Sequence, residues 1–85
     1  MKLKEIRYNF IDHKATIIMP YAVEAAAEIA DGINRYFVGG EVECEGYSHY
    51  PRENKTVFDF AIYGASLLDT LIAVFENQLT KYAAI

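Results

Sequence analysis

Glu41-Val42-Glu43-Cys44-Glu45 alternates acidic and apolar side chains without a break, the pattern of a strand with one buried and one wet face. Parity sends Val42 and Cys44 inward and three carboxylates outward. Side chains two apart on a strand stand about 6.5–7 Å from one another, so Glu41, Glu43 and Glu45 are expected to form a negative comb on the solvent side.

The alternation continues through Gly46, Ser48 and Tyr50 to a turn at Pro51-Arg52-Glu53-Asn54-Lys55, then resumes with Thr56, Phe58, Phe60 and Ile62. This predicts a hairpin. A four-residue loop would turn Phe58 and Phe60 onto the glutamate face. A five-residue loop, Pro51 to Lys55, instead aligns Cys44 with Ile62 and Gly46 with Phe60, which buries the large apolar groups and covers a strand glycine with a ring. The five-residue loop is therefore expected.

Upstream, Ile6, Tyr8 and Phe10 alternate with Glu5, Arg7 and Asn9, and a short run from Ala15 to Met19 follows Asp12-His13. A two-residue loop at Asp12-His13 pairs Phe10 with Ala15, Tyr8 with Ile17 and Ile6 with Met19, so the apolar sides coincide. Pro20 blocks the ladder and suits the first turn of a helix. Ala22, Ala26, Ile29, Ile33 and Phe37 then recur every three to four residues, opposite Glu24, Glu28, Asp31 and Arg35. The spacing predicts a helix from Pro20 to about Phe37, stopping at Gly39-Gly40. Near the C-terminus, Ser66 and Asp69 resemble a capping box. A second helix should start near Leu67 and bury Leu68, Leu71, Phe75, Leu79 and Tyr82, with Leu67, Ile72 and Val74 widening the stripe.

The order is β-β-α-β-β-α, most simply a two-layer α+β fold in which a four-stranded antiparallel sheet carries two helices on one face. The 85 residues suit a single domain, 1–85, because so short a chain cannot divide its core. Its two ββα-like halves span approximately 1–38 and 41–85. The pattern leaves strand order open.

Hydrophobic residues make up 53% of the chain, enough to pack without disulfide or metal staples. The longest apolar stretches are interrupted by Glu24, Glu28, Asp69 and Glu76, well short of the roughly 20 apolar residues of a membrane span. Mixed charges at the N-terminus do not resemble a secretory or transit peptide. Cys44 is the sole cysteine and excludes an internal disulfide. A soluble, cytoplasmic protein is expected.

The net charge of −4 is uneven: residues 1–19 carry +2, residues 20–49 carry −5 and the remainder −1. No Lys/Arg cluster of the kind that grips nucleic-acid phosphates is present. With the registers above, the open sheet face collects Glu41, Glu43, Glu45, Tyr47, His49, Val57, Asp59 and Tyr63, with Glu5, Arg7 and Asn9 from the first hairpin. Such a face suits a basic groove on another protein, its carboxylates standing in for phosphates and its tyrosines supplying contact area. Glu24 and Glu28 make a second acidic patch on the first helix. The plainer account is that the wet side of a strand is charged because it is wet.

Other chemistry has less behind it. His49 beside Tyr47 and Asp59 suggests a general base, but no nucleophile neighbours it and an open sheet face shelters nothing from water. Cys44 faces inward while the glutamates face outward, so no convergent metal ligand set forms. Gly39-Gly40 follows a helix and precedes a strand, the reverse of a phosphate-binding glycine loop. The reading is of a non-enzymatic protein-binding module with no cofactor, no metal, and no direct nucleic-acid or membrane partner. The alternative is a self-associating structural or regulatory domain, a homodimer formed through an edge strand or the open face.

No family motif is present. In size, acidity and lack of catalytic signatures the chain resembles the small inhibitors that phages and plasmids carry against host defence or nucleic-acid enzymes, anti-CRISPR proteins among them. That resemblance is one of class and implies a protein that occupies a basic site on a larger partner.

Overall fold

The computed structural model describes residues 5–9, 11–20 and 25–83, with the backbone alone at 82 and 83. Phe10, Ala22, Glu24 and the Tyr82 side chain, each given a role above, lie outside the described residues. The order is β1 (Glu5–Asn9), β2 (Lys14–Met19), α1 (Ala26–Tyr36), β3 (Val42–Tyr50), β4 (Lys55–Ile62), a 3-10 turn (Ala65–Leu67) and α2 (Leu68–Ala83). The two-layer α+β arrangement is therefore as expected.

The sheet order is β1-β2-β4-β3, with every neighbouring pair antiparallel. β2 and β3 consequently run parallel, joined through α1, with β4 inserted between them in a split β-α-β arrangement. The strand richest in large buried apolar residues takes an interior place: Thr56, Phe58, Phe60, Ala61 and Ile62 of β4 are all buried. Glutamate-bearing β3 and short β1 take the edges.

One face of the sheet meets both helices. Ala15, Ile17, Met19, Val42, Phe58, Phe60 and Ile62 pack there with Ile29, Ile33 and Phe37 around α1 and Leu71, Val74, Phe75 and Leu79 of α2. Gly32 does not end α1. A Cβ placed on it would lie 2.4 Å from Gln78 Oε1, so the missing side chain lets Gln78 of α2 lie against α1.

Local details depart from expectation in informative ways. The first hairpin closes with a four-residue loop, pairing Asn9 with Lys14, Tyr8 with Ala15 and Ile6 with Ile17. The shift by two preserves parity, so the inward set is as expected although the partners differ. The second hairpin also has a four-residue loop, pairing Tyr50 with Lys55. Both loops end on a non-glycine residue in the left-handed region, His13 (φ 56°) and Asn54 (φ 49°), a conformation found in four-residue hairpin loops built on a type I turn.

A four-residue second loop should have put Phe58 and Phe60 on the glutamate face. A β-bulge at Glu45 removes the conflict. Below the loop the pairs are Ser48↔Val57, Tyr47↔Phe58 and Gly46↔Asp59, then Glu45 is skipped and pairing resumes at Cys44↔Phe60 and Val42↔Ile62. One extra residue inverts the parity of the strand on its far side. Val42 and Cys44 stay inward as expected, whereas Tyr47 and His49 move to the helix side and Gly46, Ser48 and Tyr50 to the open side. Gly46 lies opposite Asp59, not under Phe60.

The described part of α1 begins at Ala26, with Ala25 as a cap that makes no side-chain hydrogen bond, and Pro20 occupies a bend after β2. α2 is entered through the 3-10 turn, where the Leu67 amide donates to the Gly64 carbonyl at 2.9 Å. Backbone turn geometry thus replaces the expected capping box at Ser66. No helix among the described residues is long and apolar enough to cross a membrane.

Candidate functional site

The open sheet face is built from cross-strand rows. Asn9, Lys14, Ala61 and Glu43 make one row; Arg7, Thr16, Asp59 and Gly46 the next; Glu5, Ile18, Val57 and Ser48 a third. A shallow depression on this face is lined by Lys14, Thr16, Glu45, Gly46 and Asp59, together with Ala15 and Phe60. Carboxylates stand at its margin.

Glu41, Glu43 and Glu45 are all exposed, but they do not form the straight comb that strand spacing suggests. The bulge offers Glu45 to Lys14, whose ammonium pairs with it across β4. Ala61 is small enough to be bridged. Glu41 leans the other way, its Oε1 2.9 Å from where a Gly39 Cβ would sit, and the Glu43 Oε1 lies 3.6 Å from where a Gly40 Cβ would sit. Gly40 is at φ +80° and donates its amide to the Phe37 carbonyl at 3.0 Å, a left-handed turn that glycine adopts without steric cost. Among the described residues neither Glu41 nor Glu43 has an ion-pair partner.

Asp59, which lines the depression, accepts a hydrogen bond from Thr16 Oγ1 at 3.1 Å. Tyr63 is 62% exposed beside the same end of the face, its ring 5.7 Å from that of His13 and its amide donating to the Glu41 carbonyl at 3.0 Å. The structure therefore brings together Glu41, Glu43, Glu45, Asp59 and Tyr63. It does not bring Tyr47, whose ring packs 6.2 Å from Phe58 on the helix side. Glu28 is exposed on α1, in the layer behind the sheet, and belongs to a separate surface.

The inversion also dissolves the suggested acid-base pair. His49 sits opposite Thr56 on the helix side and Asp59 opposite Gly46 on the open side, so the sheet separates them. Cys44 is half-buried, its amide donating to Asn34 Oδ1 at 2.8 Å and its thiol to the Gly46 carbonyl at 3.5 Å. Burial pushes the Cys44 thiol up, away from the reactive thiolate. No group of three His, Cys, Asp or Glu side chains among the described residues is placed to hold a metal ion.

Lys14 and Thr16 were absent from the sequence-derived site. Their only sequence signal is their place on the outward parity of β2, and their relevance depends on β2 lying beside β4. The hydrogen bond that Lys14 donates to the Glu45 carboxylate raises its ammonium above the ordinary lysine range. A raised folded value means the pair supports folding throughout the neutral range and is lost as pH climbs through that raised value. Nitrogen-detected NMR titration should find Lys14 returning to ordinary lysine behaviour in Glu45→Gln.

Set against known proteins, the chain matches no family model and no curated protein.

Proposed function

We propose that the protein is a small non-enzymatic binding module of the cytoplasm whose acidic open sheet face occupies a basic site on a larger protein, as phage- and plasmid-type inhibitors do. The observation that carries this reading is the exposed pair Glu41 and Glu43, free of ion-pair partners among the described residues, on the same face as Asp59 and Tyr63. Two exposed carboxylates without an ion-pair partner among the described residues favour an incoming guanidinium or ammonium group. Lys14 on Glu45 is an internal example of such a contact. Tyr63 adds an amphipathic ring at the rim, the kind of group that contributes most at protein interfaces.

Affinity capture from cell lysate with the whole chain, at low and at high salt, identifies the partner. A basic protein should be retained at low salt and released as screening shortens electrostatic reach. With that partner in hand, Glu41→Lys combined with Glu43→Lys should leave the circular dichroism spectrum unchanged and weaken the complex by about 1–2 kcal/mol. Undiminished affinity in the folded double variant overturns the reading.

A further inference from the structure

We propose that β3 is a dimerisation strand: its free edge pairs antiparallel with β3 of a second copy about a twofold axis at Ser48, joining two sheets into one of eight strands. The inference uses the strand edge and is independent of the open-face carboxylates.

Backbone direction defines the edge. The Ile62 amide donates to His13 on the β2 side, and the next amide, Tyr63, donates to Glu41 on the β3 side. Successive backbone groups of a strand point to opposite edges, so the odd-numbered residues of β4 serve β3. The pairs Gly46↔Asp59, Ser48↔Val57 and Tyr50↔Lys55 are then the hydrogen-bonded ones. The amide and carbonyl groups of Tyr47 and His49 face away from the sheet. On the other side of the bulge the same edge is already occupied, since Asn34 of α1 takes the Cys44 amide. From Gly46 to Tyr50 no backbone hydrogen bond to that edge is present among the described residues.

The open segment is also self-complementary. Gly46-Tyr47-Ser48-His49-Tyr50 contains no Asp, Glu, Lys or Arg, in contrast to the three glutamates before it. An axis at Ser48 sets Tyr47 opposite His49 of the other copy, the two residues whose backbone groups point outward, so both exchange hydrogen bonds. It sets Gly46 opposite Tyr50. A Cβ at Gly46 would meet nothing within 4 Å, and Tyr50 is 44% exposed, so a ring from each copy has an open glycine to cover, an arrangement known to rescue strand glycines. Moving the axis to His49 would oppose Tyr47 with Pro51, which has no N–H to give. Moving it to Tyr47 would draw the bulge into the ladder.

Sedimentation equilibrium of the full chain should show a concentration-dependent monomer-dimer equilibrium. His49→Pro removes an outward N–H that no other described residue accepts, and proline is tolerated at such edge positions. It should raise the dimer dissociation constant about thirtyfold, two hydrogen bonds being lost per dimer at about 1 kcal/mol each, while leaving the circular dichroism spectrum unchanged. Ser48→Lys opposes two ammonium groups at the axis and should raise the constant about fivefold at low salt. Ser48→Cys should give an intermolecular disulfide on mild oxidation, because Cα atoms of a directly opposed, non-hydrogen-bonded pair lie about 4.5 Å apart, within disulfide reach. The native chain, with only its half-buried Cys44, should not cross-link. A chain that stays monomeric at every concentration, a dimer indifferent to His49→Pro and Ser48→Lys, or a Ser48→Cys chain that does not cross-link overturns the proposal.

Discussion

Deleting Glu43 from the chain will cost on the order of 3 kcal/mol of stability, whereas deleting Glu45, two positions on, will leave the protein folded with a closely similar unfolding midpoint. The bulge makes the two deletions inequivalent. Without Glu45 the pairs Cys44↔Phe60 and Gly46↔Asp59 become neighbours in an unbroken ladder, and every other side chain keeps its face. Only the bulge and the contact with Lys14 are lost. Without Glu43 the strand has two ways to re-pair. Closing the bulge drives Glu45 into the Cys44 position against Phe60; keeping it drives Glu41 into the fully buried Val42 position against Ile62. Either way a carboxyl group enters the core side without a partner, a large penalty for a chain whose whole stability is on the scale of 5–15 kcal/mol. Urea denaturation followed by circular dichroism measures both. Equal costs for the two deletions would mean that the parity of β3 does not switch at Glu45.

Phe75→Ala will cost about 3–5 kcal/mol in the same assay. Phe75 projects from α2 onto two rings of β4, edge-on to Phe58 at 4.9 Å and 77° and to Phe60 at 6.1 Å and 88°, and all three are 0% exposed. Phe58 and Phe60 lie nearly parallel, their centroids 6.4 Å apart and their planes inclined by 14°, because the pleat projects alternate side chains of β4 to one face. Neither can move far to fill the void, since β4 is hydrogen-bonded on both sides. Alanine is the best helix former, so α2 itself is not weakened and the loss reports packing. Tyr63→Ala, at a position 62% exposed, serves as the contrast and should change stability by no more than about 0.5 kcal/mol. A near-neutral Phe75→Ala would mean that α2 does not seat on this pair of rings.

How much of this was legible beforehand differs from residue to residue. Val42, Cys44, Phe58, Phe60, Leu71, Phe75 and Leu79 were assigned inward by periodicity alone, and they are buried or half-buried as expected. Periodicity reports local geometry, and local geometry suffices where a helix or an unbroken strand runs its course. Tyr47 and His49 were misassigned for the complementary reason. An alternating stretch with an extra residue reads as two stretches of opposite parity, and the one mark of the join, a glycine inside the strand at Gly46, also fits a strand glycine covered by a ring. A signal was nonetheless available: the four-residue loop contradicted the buried phenylalanines, and a bulge reconciles them as well as a longer loop does. A proline-initiated four-residue turn ending in asparagine, which tolerates the left-handed region, favours the bulge.

The candidate site divides in the same way. Exposure of Glu41, Glu43, Glu45, Asp59 and Tyr63 followed from alternation, because a strand with one apolar face must send its charges to the other. The gathering of Glu45 and Asp59 with Lys14, Thr16 and Gly46 depended on β4 lying between β2 and β3. Strand order is set by which apolar faces can be closed under the helices together and which strands leave the fewest backbone groups exposed, a property of the assembled sheet. The chain by itself therefore determined its elements, their buried stripes and its acidic bias, all products of near-neighbour spacing. Only the tertiary structure decided strand order, the bulge and the Glu45 contact with Lys14, since each requires residues distant in sequence to satisfy one another's hydrogen bonds and charge.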